Sequence, residues 1–330
     1  MNDLRSFPRI AEIAMNRRTF LRRGSIALTG AAISTGPVRL FGQSSAPDSD
    51  PLTAMRAPAA KTPIMTTKLY DNLFLLQGAG GNMAAQVGPQ GKVLIDSSYL
   101  TAVPKIMDAL KALSSDPLDA LINTHWHVDH TDGNQGLHEA GFKIMAHTKT
   151  RERLGTPQSI KLLNISLPAY PAAAWPEITF DGSLHEWHNG DQLDLVHFDP
   201  AHTDTDIYIH FQKANVLHLG DIWFNGFYPF IDESSGGNIG GMIAGAQTGL
   251  AVADGSTKII PGHGPLGNKA DLELYRDMLS AVRDRVAAIK AAGASEQETV
   301  AKKPTADFDE KWGKGFMSPA VFTGIVYRTV

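Results

Sequence analysis

Cysteine is absent from the 330 residues. With no thiol available, the chain has neither a disulfide framework nor a thiolate ligand for a metal, and the absence leaves the redox compartment open. Long apolar runs are missing as well. The weakly apolar stretch Gly24 to Gly36 is too short to span a bilayer as a helix, so no stable membrane insertion is expected. No segment recurs at the periods of repeat proteins. Excess positive charge is the last absence. Six arginines and two acids lie in residues 1–36, and the remaining 24 basic and 32 acidic side chains leave a net of −8. Such a surface disfavours a polyanion, and neither DNA nor RNA is expected as a partner. An apolar fraction of 43 % over this length suits one large α/β domain or two small ones and leaves the oligomeric state open.

The N-terminus reads as an address. Asn16-Arg17-Arg18-Thr19-Phe20-Leu21-Arg22-Arg23, followed by an apolar run diluted with Gly, Ser and Thr, resembles a twin-arginine export signal over residues 1–36. An ordinary secretory leader and a disordered basic tail are the competing readings. The twin-arginine route carries folded proteins, which suits a metalloenzyme loaded before export, and implies a periplasmic or secreted protein whose transient partner is the translocation machinery. Met15 stands just before the motif and competes with Met1 as the start. Residues 37–63 are rich in Ser, Pro, Ala and Asp without apolar periodicity and read as cleavage region and linker.

Beyond the linker the chain alternates short strands with helices. Lys68 to Leu76, Met83 to Val87 and Lys92 to Ile95 form an expected meander, Pro104 to Leu113 has helical spacing, and Leu118 to Asn123 is a buried strand. A helix is expected from Asp132–Gly133 to about Glu139, then a strand over Phe142 to Ala146. Residues 155–179 look irregular, a flap or a surface loop. Strand-like runs follow at Leu184 to His188, Leu193 to Phe198, Ile207 to Phe211, Val216 to Leu219 and Lys258 to Ile260. Helices are expected over Met242 to Ala253 and Lys269 to Ala292, the latter stopped by Gly293. Val321 to Val330 reads as a last strand or an interface element.

The densest chemistry lies in Thr124-His125-Trp126-His127-Val128-Asp129-His130-Thr131-Asp132-Gly133-Asn134. A lone histidine is ordinarily a hydrogen-bonded core or loop residue, but three imidazoles and a carboxylate within six residues ask for a metal. His125 and His127 alternate and point the same way from an extended loop, while Asp129 and His130 follow round the bend. Two neighbouring pockets result. Zn²⁺ takes such nitrogen and oxygen ligands and in catalytic sites keeps a position for water.

The run resembles the H-x-H-x-D-H signature of the metallo-β-lactamase superfamily. Three later places match the same pattern in order. His202 lies in Pro200-Ala201-His202-Thr203, where Ala replaces the family's usual Gly; Asp221 follows Leu219-Gly220 at a strand end; His263 lies in Pro261-Gly262-His263-Gly264. The resemblance covers about Lys68 to Gly293 and implies a four-layered αβ/βα sandwich, with a catalytic domain over 64–300 and a C-terminal extension, 301–330, packing on it. It assigns His125, His127 and His202 to one metal, Asp129, His130 and His263 to the other, and Asp221 as the bridge, as in glyoxalase II and the acyl-homoserine lactonases. Two Zn²⁺ per chain are implied, with Fe or Mn also compatible.

Five neutral imidazoles and two carboxylates offset half the charge of two divalent cations and leave room for a bridging hydroxide, the expected nucleophile. Asp129 and Asp221 are the expected catalytic carboxylates. Thr124, Asp96 and Asp132 are candidates to orient the ligating imidazoles. Trp126, Trp223, Phe227 and Tyr228 flank ligand positions, as walls of a substrate pocket or as core. The implied reaction is hydrolysis of an activated carbonyl in a small molecule. Asp221 favours lactones and thioesters, whereas export favours β-lactams. The alternative is an iron-dependent oxidoreductase of the same fold, acting on persulfides or oxygen.

Overall fold

Side-chain alternation along the strands builds two sheets and separates three apolar layers. The computed structural model describes residues 51–330, all within a unit running from Asp48 to Val330. The expected export signal and most of the expected linker lie outside the described residues. In chain order the first half holds Pro51–Ala59 (α1), Met65–Lys68 (β1), Leu73–Gln77 (β2), Met83–Gln86 (β3), Lys92–Ile95 (β4), Val103–Leu113 (α2), Leu118–Ile122 (β5), Val128–Thr131 (α3), Asn134–Ala140 (α4) and Lys143–His147 (β6). After Thr148–Leu154 (α5) come Gln158–Ile160 (β7), Ile165–Leu167 (β8) and Ile178–Phe180 (β9). The first sheet runs β1-β2-β3-β4-β5-β6-β9, antiparallel up to β4 and parallel from β4 onward.

The second sheet contains Ser183–His188 (β10), Asp191–His197 (β11), Ile207–Phe211 (β12), Val216–His218 (β13) and Lys258–Ile260 (β14) in that order. Only the β13–β14 pair is parallel, because Ile239–Val252 (α6) crosses between them. The closing helices are Lys269–Ala291 (α7), Glu296–Ala301 (α8), Asp309–Trp312 (α9) and Pro319–Thr329 (α10).

Alternate residues of one strand enter different layers. Val93, Ile95, Ala120 and Ile122 share a core with Leu193, Leu195, Ile209 and Phe211 of the other sheet. Their neighbours Leu94 and Leu121 instead join Ile106, Leu110 and Leu137 of α2 and α4. On the far side Leu217, Leu219 and Ile259 pack with Met242, Leu272, Tyr275 and Phe322 of α6, α7 and α10. The result is helices, sheet, sheet, helices, the four layers expected. Among the described residues no helix is long and apolar enough to cross a membrane.

Several local expectations are corrected. The run expected from Lys68 to Leu76 holds only the last residue of β1 and most of β2, because Leu69 and Tyr70 N–H groups both donate to Leu73 O and fold the chain back between them. Residues 155–179 hold the β7–β8 hairpin and β9, strands of three residues, too short to display a period of two. Val321 to Val330 is helical: Ser318 caps α10 and Pro319 occupies its first turn, a start signal that outweighs the β-branched run. Part of the expected linker is the helix α1, which buries Leu52 and Ala59. Asp132 and Gly133 separate two short helices instead of opening one.

Candidate metal centre

The loop leaving β5 is fixed near its start. Asp96, at a left-handed φ of 63°, accepts Thr124 N at 2.7 Å and Thr124 Oγ1 at 2.8 Å. Three residues later His127 takes the N-cap position of α3, and this single helical turn brings Asp129 and His130 round beside it. His202 lies in the β11–β12 connection, where Asp206 accepts His202 N and Thr203 N at 2.8 Å each and Thr203 Oγ1 at 2.6 Å. Burial raises the Asp206 carboxyl to about 7 despite those hydrogen bonds from Thr203.

Two glycines let the last ligand-type residues close in. Gly220 has φ +51°, and a Cβ on it would stand 2.9 Å from Thr124 Cβ, so the turn carrying Asp221 presses directly on the β5 loop. At Gly262, just before His263, a Cβ would overlap Asp221 Oδ1. Loops leaving β5, β11, β13 and β14 thus converge on one point.

Potential ligand atoms of His125, His127, His202 and Asp221 lie within 4.8 Å of one another, as do those of Asp129, His130 and His263. Asp221 joins the two groups. Its Oδ2 is 3.3 Å from His202 Nε2 and 3.5 Å from His263 Nε2, while Oδ1 is 3.2 Å from His130 Nε2. All seven residues singled out by the sequence therefore meet.

The outer faces of the imidazoles fix what the inner faces offer. His130 Nδ1 donates to Asp96 at 2.7 Å, His202 Nδ1 to Phe230 O at 2.8 Å and His127 Nε2 to Asp232 at 3.1 Å. His125 Nδ1 faces Thr124 Oγ1 at 3.0 Å, and that hydroxyl already gives its own proton to Asp96. In these four rings, when neutral, each proton is thus turned outward and each inner nitrogen presents a lone pair. His127 Nδ1 and His202 Nε2 then face each other at 2.8 Å with no proton between them. Buried His125 Nε2 and Asp221 Oδ1 have no hydrogen-bond partner at all. Inward lone pairs and orphaned buried atoms are what a cation satisfies, so these residues fit a divalent metal pair.

Without a cation the cluster shares protons. Burial would strip His263, but Asp221 and Asp129 raise it to about 9; burial would likewise lower His130, which Asp221, Asp129 and Asp96 hold well above its ordinary value. Burial takes His202 down to about 4 and, with His130 beside it, His125 well below its usual range. Burial pushes Asp221 up, yet His263 and His130 keep its carboxyl well below the ordinary range. Access is one-sided. The side chains of Asp129 and His263 are 21 % and 23 % exposed, whereas His125, His130 and His202 are sealed, so a substrate approaches over the second group.

Of the residues expected to orient the imidazoles, Asp96 and Thr124 touch His130 and His125. Asp132 does not: its carboxylate accepts Arg56, Leu100 N and Tyr170 instead. Asp232 takes the role on His127 and escaped the sequence reading. Trp126, Trp223 and Tyr228 are core side chains, exposed by 2 %, 0 % and 1 %. Tyr228 stacks on Phe322 and donates to Asp309, which ties α9 and α10 to the β13 loop. Only Phe227 is partly open, edge-on to Phe224, whose ring stacks on His263 at 5.3 Å.

Residues 78–288 match the sequence family described as the Metallo-beta-lactamase superfamily. Among solved structures, a metallo-beta-lactamase from Pontibacter korlensis is similar with a TM-score of 0.55 and 16 % identity, over 66 % of this chain and 99 % of that one. For the DIM-1 metallo-beta-lactamase the values are 0.52 and 19 %, over 67 % and 99 %. The sec-alkylsulfatase Pisa1 from Pseudomonas sp. gives 0.61 and 17 %, over 86 % of this chain but 53 % of the sulfatase. This chain spans about half the sulfatase's length, and at these identities the likeness is one of fold.

Proposed function

The chain belongs to the metallo-beta-lactamase superfamily, and from that membership we propose that it is an exported, zinc-dependent hydrolase of small molecules carrying an activated carbonyl: a β-lactam, a lactone or a thioester. The observation that carries this reading is the position of Asp221, with one oxygen toward His202 and His263 and the other toward His130. His125, His127 and His202 would hold one cation, Asp129, His130 and His263 the other, and Asp221 both. Two divalent cations so held supply hydroxide at neutral pH and polarise a carbonyl.

The chain's own residues do the rest. Outer hydrogen bonds to Asp96, Thr124, Phe230 O and Asp232 keep the imidazoles aimed, so no ligand has to reorient during reaction. Asp129, on the open side, would orient the hydroxide, and no nucleophilic side chain is required. Phe227 offers an apolar contact beside His263. A β-lactamase and an alkylsulfatase share the fold, so the choice of bond falls to this site. A carboxylate at position 221 favours lactones and thioesters, and export through the twin-arginine motif keeps β-lactams in view.

Steady-state assays of the zinc-loaded chain with nitrocefin, a carbapenem, a lactone panel and a thioester test the reading. Turnover of at least one, lost with chelator and restored by zinc, is expected. Iron in protein purified from its own host, with oxygen uptake and no hydrolysis of any of these, would replace it by the oxidoreductase reading.

A further inference from the structure

Arg56 joins α1 to the loop bearing four ligand-type residues, although α1 arises from a stretch whose composition reads as linker. Asp132 stands two residues after His130 and its side chain is wholly buried. It accepts Arg56 Nε at 2.8 Å on Oδ2 and Arg56 Nη2 at 2.6 Å on Oδ1, a two-pronged guanidinium pair. The same carboxylate accepts Leu100 N at 2.8 Å and the Tyr170 hydroxyl at 3.1 Å. Leu100 closes the turn that begins at Asp96, the partner of His130. Within that turn Ser97 N and Ser97 Oγ donate to His130 O at 2.8 and 3.0 Å, and Gly133 N returns a bond to Ser98 O at 3.0 Å.

The helix bearing Arg56 is itself anchored. Thr101 Oγ1 donates to Arg56 O at 2.6 Å, and Lys105 Nζ to Ala60 O and Thr62 O at 2.6 and 3.1 Å. The guanidinium therefore reaches Asp132 from a fixed base. A buried carboxylate that loses its cation remains as an uncompensated charge, and its loop relaxes toward water. Here that loop is α3 with Asp129 and His130.

We propose that Arg56 is a positioning residue of the metal centre: by pairing with Asp132 it sets the angle at which Asp129 and His130 present to the second cation. The proposal rests on the reading of Asp129, His130 and His263 as ligands, but not on any substrate. Full-length wild type, Arg56→Gln and Arg56→Lys are titrated with cobalt alone, following the visible bands and the melting temperature. Wild type is expected to take two equivalents. Arg56→Gln should bind the first as wild type does and the second at least 10-fold more weakly, with altered visible bands, and Arg56→Lys should fall between the two.

Wild-type affinity and bands in Arg56→Gln overturn the proposal. So does a lowered melting temperature with an unchanged second binding constant, since that is a merely structural role. If Arg56→Gln does not fold, Arg56→Lys decides: it keeps the charge without the two-pronged geometry, and a wild-type titration for it refutes the idea. Wild type that binds two cobalt ions yet hydrolyses nothing would end the hydrolase reading and leave Arg56 standing.

Discussion

Asp232 does for His127 what Asp96 does for His130. Each carboxylate faces an outer ring nitrogen and so decides which inner nitrogen keeps its lone pair. Ser234 and Ser235 hydroxyls hold Asp232 in turn, and burial, which would raise its carboxyl, is outweighed by His127, leaving it below the ordinary range. Asp232→Asn keeps the shape and loses the charge. Metal affinity is expected to fall by about 10- to 100-fold with the circular dichroism spectrum unchanged, read by competition with a chelating dye; undiminished affinity would mean that packing on Phe230 alone orients His127. Gly262→Ala tests Asp221 from the other side. The added methyl overlaps Asp221 Oδ1, so metal analysis should find at least one equivalent lost, and a variant with two metals and wild-type turnover would deny Asp221 its shared role. The run from His125 to His130 was legible because its spacing is local. Asp232 was not, since it lies 105 positions from its histidine and its neighbours advertise only a turn.

Strands and helices meet most tellingly where the two sheets touch at their ends. His147 closes β6 and His197 closes β11, one from each sheet, and their rings stack at 3.8 Å and 14°. His147 Nε2 faces Asp181 O and His197 Nδ1 faces Asp206 O, both at 2.9 Å, while Lys149 N donates to His147 Nδ1. Burial lowers both rings below their ordinary 6.5, with Lys149 opposing charge on His147, and His147 and Lys149 opposing it on His197. The nearby Asp181, Asp199, Asp204 and Asp206 work the other way without reversing the shift. Above pH 6.5 folded and unfolded chains are both neutral here. As the pH falls through 6.5 the unfolded chain takes up protons that the folded pair resists, so stability is lost toward acid. Melting temperatures from pH 8 to 5 should fall less steeply in His197→Gln than in wild type; equal slopes would show that the pair is not titrating. Strands β2 to β6 and β10 to β14 were readable in advance, whereas β7 to β9 and α1 owe their form to neighbours that cover them.

The whole molecule gathers distant segments around one loop. α1 arrives through Arg56, while the last helices hold the β13 loop through Tyr228 and Asp309, and Arg328 reaches Glu233 beside Asp232. On the proposal of twin-arginine export, replacing Arg17 and Arg18 together with lysine should leave the protein in the cytoplasm, read by cell fractionation; undiminished export would point to an ordinary secretory leader. Mature protein recovered from the envelope should retain Arg56 by intact mass, because a cut beyond it would remove the positioning pair.

From sequence alone came whatever local order encodes: the four ligand-type residues within six positions, the alternation that sorts Val93 from Leu94, the stripe of α7, and the layered α/β class. The resemblance named His202, Asp221 and His263 as partners of that cluster; tertiary structure supplied their geometry, and it alone appointed Asp232 and Arg56 to steady the site and withdrew Trp223 and Tyr228 into the core. The reason is reach. Periodicity and motif report on neighbours a few residues apart, whereas a buried charge or an inward lone pair is answered by whichever distant segment the packed layers deliver to it.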